Sequence, residues 1–417
     1  MMRSMTHRAP LLSESQALRC LLDGIAPVGE REQVDLPNAL ARVVSEPVMA
    51  QSDVPAFDNS AMDGYAVACG DIAAHGETRL AISQRITAGR QPTPLVPGTA
   101  ARIFTGAPLP PGADTVVMQE NCREERGHVV IQGPLAKGGH VRKAGEDIAA
   151  GRCVLEQGTV IRPQEMGLAA SLGRATLPVY RRVRVSIVVT GNELVAPGAP
   201  LAPGQLYNSN RYTLSGLLSA LGCELSYSRC IPDDLDATRD ALARAARASD
   251  FILTSGGVSV GEEDYVKRAI ADLGALHVHH IAIKPGKPLT YGTIHGTPLL
   301  GLPGNPVSLF VTFVIFARPA ILKLQGRTEL APARLWARAT FERRNPIKRR
   351  EYLRARLQEA QDGHGHEVSI HSRQGSAVLS STAWANCLAV IPEHGTVAPG
   401  QAIAVMPFSS LLSPLSD

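Results

Sequence analysis

VRVSIVVTGNEL, residues 183–194, and FILTSGGVSVGEED, residues 251–264, decide how the rest of the chain is read. Each starts as a largely apolar run, interrupted in the first only by Arg184 and Ser186, and breaks off into glycine, the pattern of a strand buried on both faces that ends in a loop. Between them the spacing predicts a helix over 212–221, a strand over 224–230 and a helix over 237–248. Beyond them it predicts a helix over 265–273, strands around 278–283 and 298–302, and a helix over 307–324. Strand and helix in alternation mean a parallel α/β sheet.

Working outward, the texture changes on both sides. The N-terminal stretch has Ser13 and Gln16 at capping-box spacing, with Leu18, Leu21, Leu22 and Ile25 on one helical face and Pro27 as a stop. From about 48 to 151 come short β-type runs, such as 101–104 and 115–119, between Gly- and Pro-rich turns. That region closes with Arg162-Pro163, a helical run to Leu172 and Gly173 as its cap, before Pro178 restarts the chain. After Arg327 only short alternating runs remain (334–341, 353–357, 387–391, 402–406), so a terminal β domain is expected.

Composition narrows the function. With 417 residues, 44% hydrophobic and 19% charged, the chain is globular and long enough for two to four domains. Forty-two Lys and Arg against 38 Asp and Glu leave +4, too little to call for nucleic acid or an anionic membrane. The best apolar run, 307–317, meets Arg318-Pro319 well short of a membrane span and is expected to be a buried helix. MMRSMTHRAPLLSES lacks the apolar core of a secretion signal. Seven scattered cysteines, never in a CxxC pair, suit a reducing cytoplasm.

Ligands of an open α/β sheet bind beyond the carboxyl ends of the strands. TGNE at 190–193, SGGVSVGEED at 255–264, KPGKP at 284–288 and GLPGNP at 301–306 all fall there, so four glycine loops share one rim. Glycine lets backbone N–H groups converge on an anion, and a following helix adds partial positive charge. Ser255, Gly256 and Gly257 are therefore candidate anion holders, with Lys284 and Lys287 set on one stiff turn. Glu193, Asp233 and Asp264 stand at or just past strand ends as hard oxygen ligands for Mg²⁺ beside phosphate. Taken singly each has a structural reading: a Gly-Gly turn is a tight connection, a lysine is solvated, and Asp264 is a helix cap. DNSAMDGYA at 58–66 could be a hairpin, Thr105 opens a proline-stiffened loop, and Arg142 and Asp147 in VRKAGED could be solvated. HVHH at 277–280 sits in a strand where at most two histidines share a side, which argues against zinc. The basic run from Arg343 to Arg356 has only Tyr352 for base stacking and reads as a solvated face or local anion contact.

In this order DNSAMDGYA, TGAPLPPGADTVV, TGNEL, SGGVSVGEEDYVK, IKPGKP and GLPGNPVS resemble the molybdopterin molybdenumtransferase family, which includes the C-terminal enzyme domain of gephyrin. SGGVSVG alone also occurs in molybdopterin adenylyltransferase domains. The resemblance implies a multidomain α/β protein: a linking helical/β domain (11–47 and 148–177), a β-rich domain (48–147), a central parallel-sheet molybdopterin-binding domain (178–327) and a C-terminal β-barrel-like domain (328–417). It implies a cytoplasmic homodimer that inserts molybdate into adenylylated molybdopterin, with Mg²⁺-dependent release of AMP. By motif position, Asp63, Thr105, Arg142 and Asp147 on the β-rich domain would complete the other subunit's site. Glu193, Asp233 and Asp264 would hold metal and phosphate, and Lys284 and Lys287 the anions. Pro303, Gly304 and Pro306 would shape the adjoining loop, and Arg350 and Ser376 would help hold molybdate. Asn192 stands where the family commonly has Asp, one carboxylate fewer beside the metal. A molybdopterin adenylyltransferase or acceptor molybdoenzymes would be its protein partners. Adenylyl transfer to molybdopterin, or a protein-binding scaffold on the same fold, are the competing readings.

Overall fold

The structure, a computed structural model, describes residues 11–257, 265–360 and 362–412. They pack as two compact units, one built from Pro47–Glu156 and Gln164–Leu177, the other from the chain up to Glu46, Gln157–Pro163 and Pro178 onward.

In the first unit a six-stranded sheet runs Thr115–Met118, Gly64–Val67, Thr99–Ile103, Gly76–Ile86, His128–Gly133, Cys122–Glu125. Its alternation is that of a sheet buried on both faces: Tyr65 and Val67 pack with Val117, Val129 and Ile131, whereas Ala66 packs on the opposite side with Ile103 and Val116. Gly64, the glycine of DNSAMDGYA, is where the strands come closest. A Cβ there would lie 1.9 Å from the Val117 carbonyl oxygen, so no larger residue fits.

The second unit holds the α/β sheet. Its elements are β1 (Arg184–Thr190), α1 (Ser209–Ala220), β2 (Glu224–Ile231), α2 (Leu235–Ala248), β3 (Phe251–Ser255), α3 (Tyr265–Leu273), β4 (Gly274–His280), β5 (Pro288–Ile294), β6 (Thr297–Leu302) and α4 (Pro306–Leu324). Strand order is β2-β1-β3-β6-β5-β4. The first four are parallel, as the apolar runs imply, and β1 is buried on both faces, with Val185, Ile187 and Val189 toward α1 and α4 and Val188 toward α2 and α3. Of the last two, β5 runs antiparallel to both its neighbours, so β4 points the same way as the first four. The cause is local: Ile294 pairs with Thr297 across a two-residue turn whose His295 (φ 48°) and Gly296 (φ 86°) are both left-handed, a hairpin geometry that forces β5 and β6 to run oppositely.

Helix α4 runs straight through Arg318-Pro319, over the span expected from the sequence. A wide π turn over Phe313–Ala317 precedes the proline and absorbs the backbone bond its ring removes. The helix is apolar enough to cross a membrane by length and composition, but 94% of it is buried inside the fold. The N-terminal helix Glu14–Asp23 starts on the expected capping box, with Ser13 and Gln16 bonding reciprocally. It lays Ala17 and Leu21 on the same core, and Lys323 Nζ donates to the Leu22 carbonyl at 2.7 Å.

The C-terminal strands are β7 (Leu335–Ala339), β8 (Arg350–Glu359), β9 (His366–Ile370), β10 (Cys387–Ile391) and β11 (Ala402–Pro407). They pair in the order β8-β9-β7-β11-β10, and β10 pairs again with β8, which closes a five-stranded barrel. Small residues (Ala337, Ala339, Ala355, Ala389) fill an interior this narrow. All seven cysteines are free thiols.

Candidate functional site

The ends of the central strands lie level: Val189 pairs with Ser255 and Ser255 with Leu302, so the loops after β1, β3 and β6 leave the sheet side by side. Between them opens a cavity of about 670 Å³, walled by Thr190, Glu193, Asn210, Ser255, Gly256, Gly257, Pro303, Gly304 and Pro306 among others. Gly256 and Gly257 have φ of +91° and +63°, and a Cβ on Gly256 would sit 2.5 Å from the Thr190 carbonyl. The turn therefore stays open only as glycine. Helices α1 and α4 both begin at the cavity wall, so the partial positive charge of their N-termini bears on whatever binds there.

Asn210 ties the loops together, and the sequence reading missed it. Its Nδ2 donates to Ser255 Oγ at 2.9 Å and to the Gly304 carbonyl at 2.6 Å. In sequence it belongs to Asn-Ser-Asn at a helix start, where capping is the obvious explanation; Asn208 does cap α1, accepting from the Arg211 N–H at 3.1 Å.

Two of the three expected acids lie together at the rim. Glu193 lines the cavity, and Asp233 follows β2, the strand beside β1. Asp233 is held by its neighbour: the Asn192 N–H donates to Asp233 Oδ2, and the Asp233 N–H to Asn192 Oδ1, both at 3.1 Å. Asn192 is thus a loop clasp. Both acids reach Cys230, whose thiol pKa is raised chiefly by desolvation and further by Glu193 and Asp233, against the lowering effects of Asn208 and Arg211. Asp264, the third acid, lies outside the described residues. Among the described residues no three His, Cys, Asp or Glu side chains converge on a metal position. Glu193 in the cavity wall and Asp233 at the end of the neighbouring strand still suit Mg²⁺, which takes one or two carboxylates from protein and completes its shell with water and substrate oxygens. His277 of HVHH packs its ring 5.2 Å from that of Tyr291.

The expected anion holders divide. Lys287 is half-buried and meets no acid among the described residues, whereas Lys284 Nζ lies 3.0 Å from Glu351 Oε1. Glu351 is 2% exposed and takes a second cation, Arg343, at 2.7 Å. Burial raises its pKa, but bonds from Arg343 and Lys284 prevail and hold it below the ordinary value. Arg350 bridges Glu14 and Glu393, each at 3.3 Å. Arg354, four residues on, is 1% exposed with no carboxylate partner among the described residues. Its side chain donates to Ser381 Oγ at 3.0 Å and to the Gly375 carbonyl at 3.2 Å. Burial lowers its pKa to about 10, which leaves it cationic at neutral pH. It thereby grips the loop carrying Ser376, whose carbonyl accepts the Val307 N–H at 3.0 Å at the start of α4, and whose neighbour Ala377 lines the cavity.

The other compact unit carries the remaining four expected residues. Asp63 and Thr105 meet there: the Thr105 N–H and hydroxyl both donate to Asp63 Oδ1 at 2.8 Å, and those bonds lower the Asp63 pKa. Arg142 is exposed on a two-residue strand paired with Asn59–Ser60. Asp147 is exposed, its N–H donating to the Val54 carbonyl at 3.1 Å. Between them Lys143 pairs with Asp58 at 2.6 Å, which fixes the VRKAGED turn.

Three family patterns match this chain: "MoeA N-terminal region (domain I and II)" over residues 12–173, "Probable molybdopterin binding domain" over 186–323, and "MoeA C-terminal region (domain IV)" over 336–408. The molybdopterin molybdenumtransferase of Haemophilus influenzae is 36% identical over 406 residues, covering 96% of this chain and all of that protein. Its counterpart from Nostoc is 38% identical, over 90% of this chain and 88% of that one. Among solved structures, a molybdopterin biosynthesis MoeA protein from Pyrococcus superposes with a TM-score of 0.81 at 30% identity, covering 96% of this chain and 99% of that one.

Proposed function

The chain belongs to the molybdopterin molybdenumtransferase family, transferases of molybdenum cofactor biosynthesis, and from that premise we propose that it inserts molybdate into adenylylated molybdopterin and releases AMP. The observation that carries this reading is the cavity itself. Two helix N-termini and three glycine loops face one space, with Glu193 in its wall and Asp233 clasped to the neighbouring Asn192. Such a wall favours polyanions, and the substrate's phosphates and molybdate are both polyanions.

In this reading the N–H groups around Gly256, Gly257 and Gly304 hold the phosphates. Lys287 and the loop gripped by Arg354 hold molybdate near the dithiolene, with Lys284 poised on Glu351 beside them. Arg354 rather than Arg350 takes the role of buried cation, because Arg350 is already spent on two carboxylates. Mg²⁺, held by Glu193, Asp233 and Asp264, would neutralise phosphate charge. Water attacks the phosphoanhydride, AMP leaves, and the molybdopterin phosphate stays with the sulfurs that take up molybdenum. Asp63, Thr105, Arg142 and Asp147 would come from the second subunit of a cytoplasmic homodimer, and acceptor molybdoenzymes or an adenylyltransferase would be its partners.

The test is direct. Purified chain, adenylylated molybdopterin, molybdate and Mg²⁺ should yield AMP and a cofactor that activates an apo-molybdoenzyme, and chelation should stop it. If Glu193→Ala released AMP at the wild-type rate, the assignment of roles would be wrong.

A further inference from the structure

Two polar atoms of the cavity wall are buried and find no hydrogen-bond partner among the described residues: Thr190 Oγ1 and Asn210 Oδ1. Thr190 is 5% exposed and Asn210 9%. The amide of Asn210 has one sensible orientation. The Gly304 carbonyl can only accept, so the NH₂ must face it, which leaves Oδ1 as a bare acceptor. Thr190 Oγ1 lies against the glycine turn, 2.8 Å from where a Cβ on Gly256 would be. Orphaned oxygens are not in themselves a ligand signal: Thr254 and Thr290, fully buried in the same sheet, also carry unpartnered hydroxyls. Those two do not line the cavity, and Thr190 and Asn210 do.

A phosphate or molybdate oxygen offers only acceptors and cannot satisfy Asn210 Oδ1. We propose that Thr190 and Asn210 are specificity-determining residues that receive hydrogen-bond donors from the substrate's heterocycle, an amino group or ring N–H. This rests on reading the cavity as the substrate site. The wall then has two chemistries, helix ends and glycine turns for the anionic part and an acceptor pair for the neutral ring. Adenine and the pterin both carry such an edge, and they are separable by experiment.

Thr190→Val and Thr254→Val in the full chain make the test, read by thermal unfolding and by calorimetric titration with AMP, inosine 5′-monophosphate and free 2-amino-4-oxopteridine. Each variant removes an unsatisfied buried hydroxyl at constant shape, so both should raise the melting midpoint of the free protein. Thr190→Val alone should weaken probe binding, by about tenfold for one lost hydrogen bond to substrate. Weakening for AMP but not inosine monophosphate assigns the adenine amino group; weakening for the pteridine assigns the pterin edge. A lowered midpoint in Thr190→Val would mean that the hydroxyl already has a partner, and would overturn the proposal. So would equal binding by wild type and Thr190→Val, or a wild type that binds neither ring. That last result leaves molybdate insertion standing, since AMP release tests it separately, and a chain that binds the rings but releases no AMP has the converse meaning.

Discussion

Gly256 and Gly304 face the same cavity, yet a methyl group added to each should have opposite consequences. At Gly256 the backbone has φ +91°, which costs an L-residue about 1–2 kcal/mol. The new Cβ would lie 2.5 Å from the carbonyl oxygen and 2.8 Å from the hydroxyl of Thr190, at the end of the central strand. A buried strand cannot withdraw without disturbing its neighbours, and overpacking of this kind costs roughly 1–3 kcal/mol more. Gly256→Ala should therefore destabilise the chain by about 2–5 kcal/mol, among the larger effects of single substitutions. At Gly304 the nearest atom to a Cβ is Gly256 Cα at 3.9 Å and φ is not positive, so Gly304→Ala should cost under about 1 kcal/mol. Its methyl would instead project beside the glycine turn and crowd the ligand. Urea unfolding gives the stabilities, and AMP release with varied substrate gives the functional effect. The expected pattern is an unstable Gly256→Ala beside a stable Gly304→Ala with a raised KM. Equal stabilities for the two variants would refute the geometry of the turn.

Glu351 supplies a pH test: with its pKa held down by Arg343 and Lys284, it contributes stability that is complete above the unfolded carboxylate value near 4.5 and is lost as pH falls toward the folded one. Acid titration of unfolding should thus be steeper below about pH 4.5 in wild type than in Glu351→Gln. Lys284→Gln should lower both stability and molybdate affinity, since it leaves a buried carboxylate with one cation, whereas Lys287→Gln should lower affinity alone; matching melting midpoints for the two would contradict this. Arg354→Met should loosen the Gly375–Ser376 loop and raise the molybdate concentration needed for half-maximal turnover about tenfold or more. Arg350→Met should change that concentration little while lowering the melting midpoint, because Glu14 and Glu393 lose their shared cation. The reverse ranking in a molybdate titration would restore Arg350 to the site.

Much of this was written in local sequence. A strand buried on both faces is apolar at most positions, so residues 183–189, with only Arg184 and Ser186 polar, and 251–254 declared a covered parallel sheet, and the glycines after them declared loops that approach a ligand closely. The capping box at Ser13 and Gln16 and the alternating runs of the terminal barrel are equally short-range signals. The reversal of β5 against β6 was missed because it hangs on a two-residue His-Gly turn; the helix over 307–324 was legible, and only the π turn that accommodates Pro319 was not.

What tertiary structure alone decided is which polar groups are already satisfied. Arg350 and Arg354 are equivalent arginines in sequence, and only folding brings Glu14 and Glu393 to one and leaves the other buried with no acid among the described residues. Asn210 reads as part of a helix cap until Ser255 and Gly304, distant along the chain, close around its amide and leave one oxygen buried without a partner among the described residues, in a residue that lines the cavity. Residue type and spacing set which groups can bind; the partners that compete for each group come from far along the chain, and their arrival determines which remain free to hold a substrate.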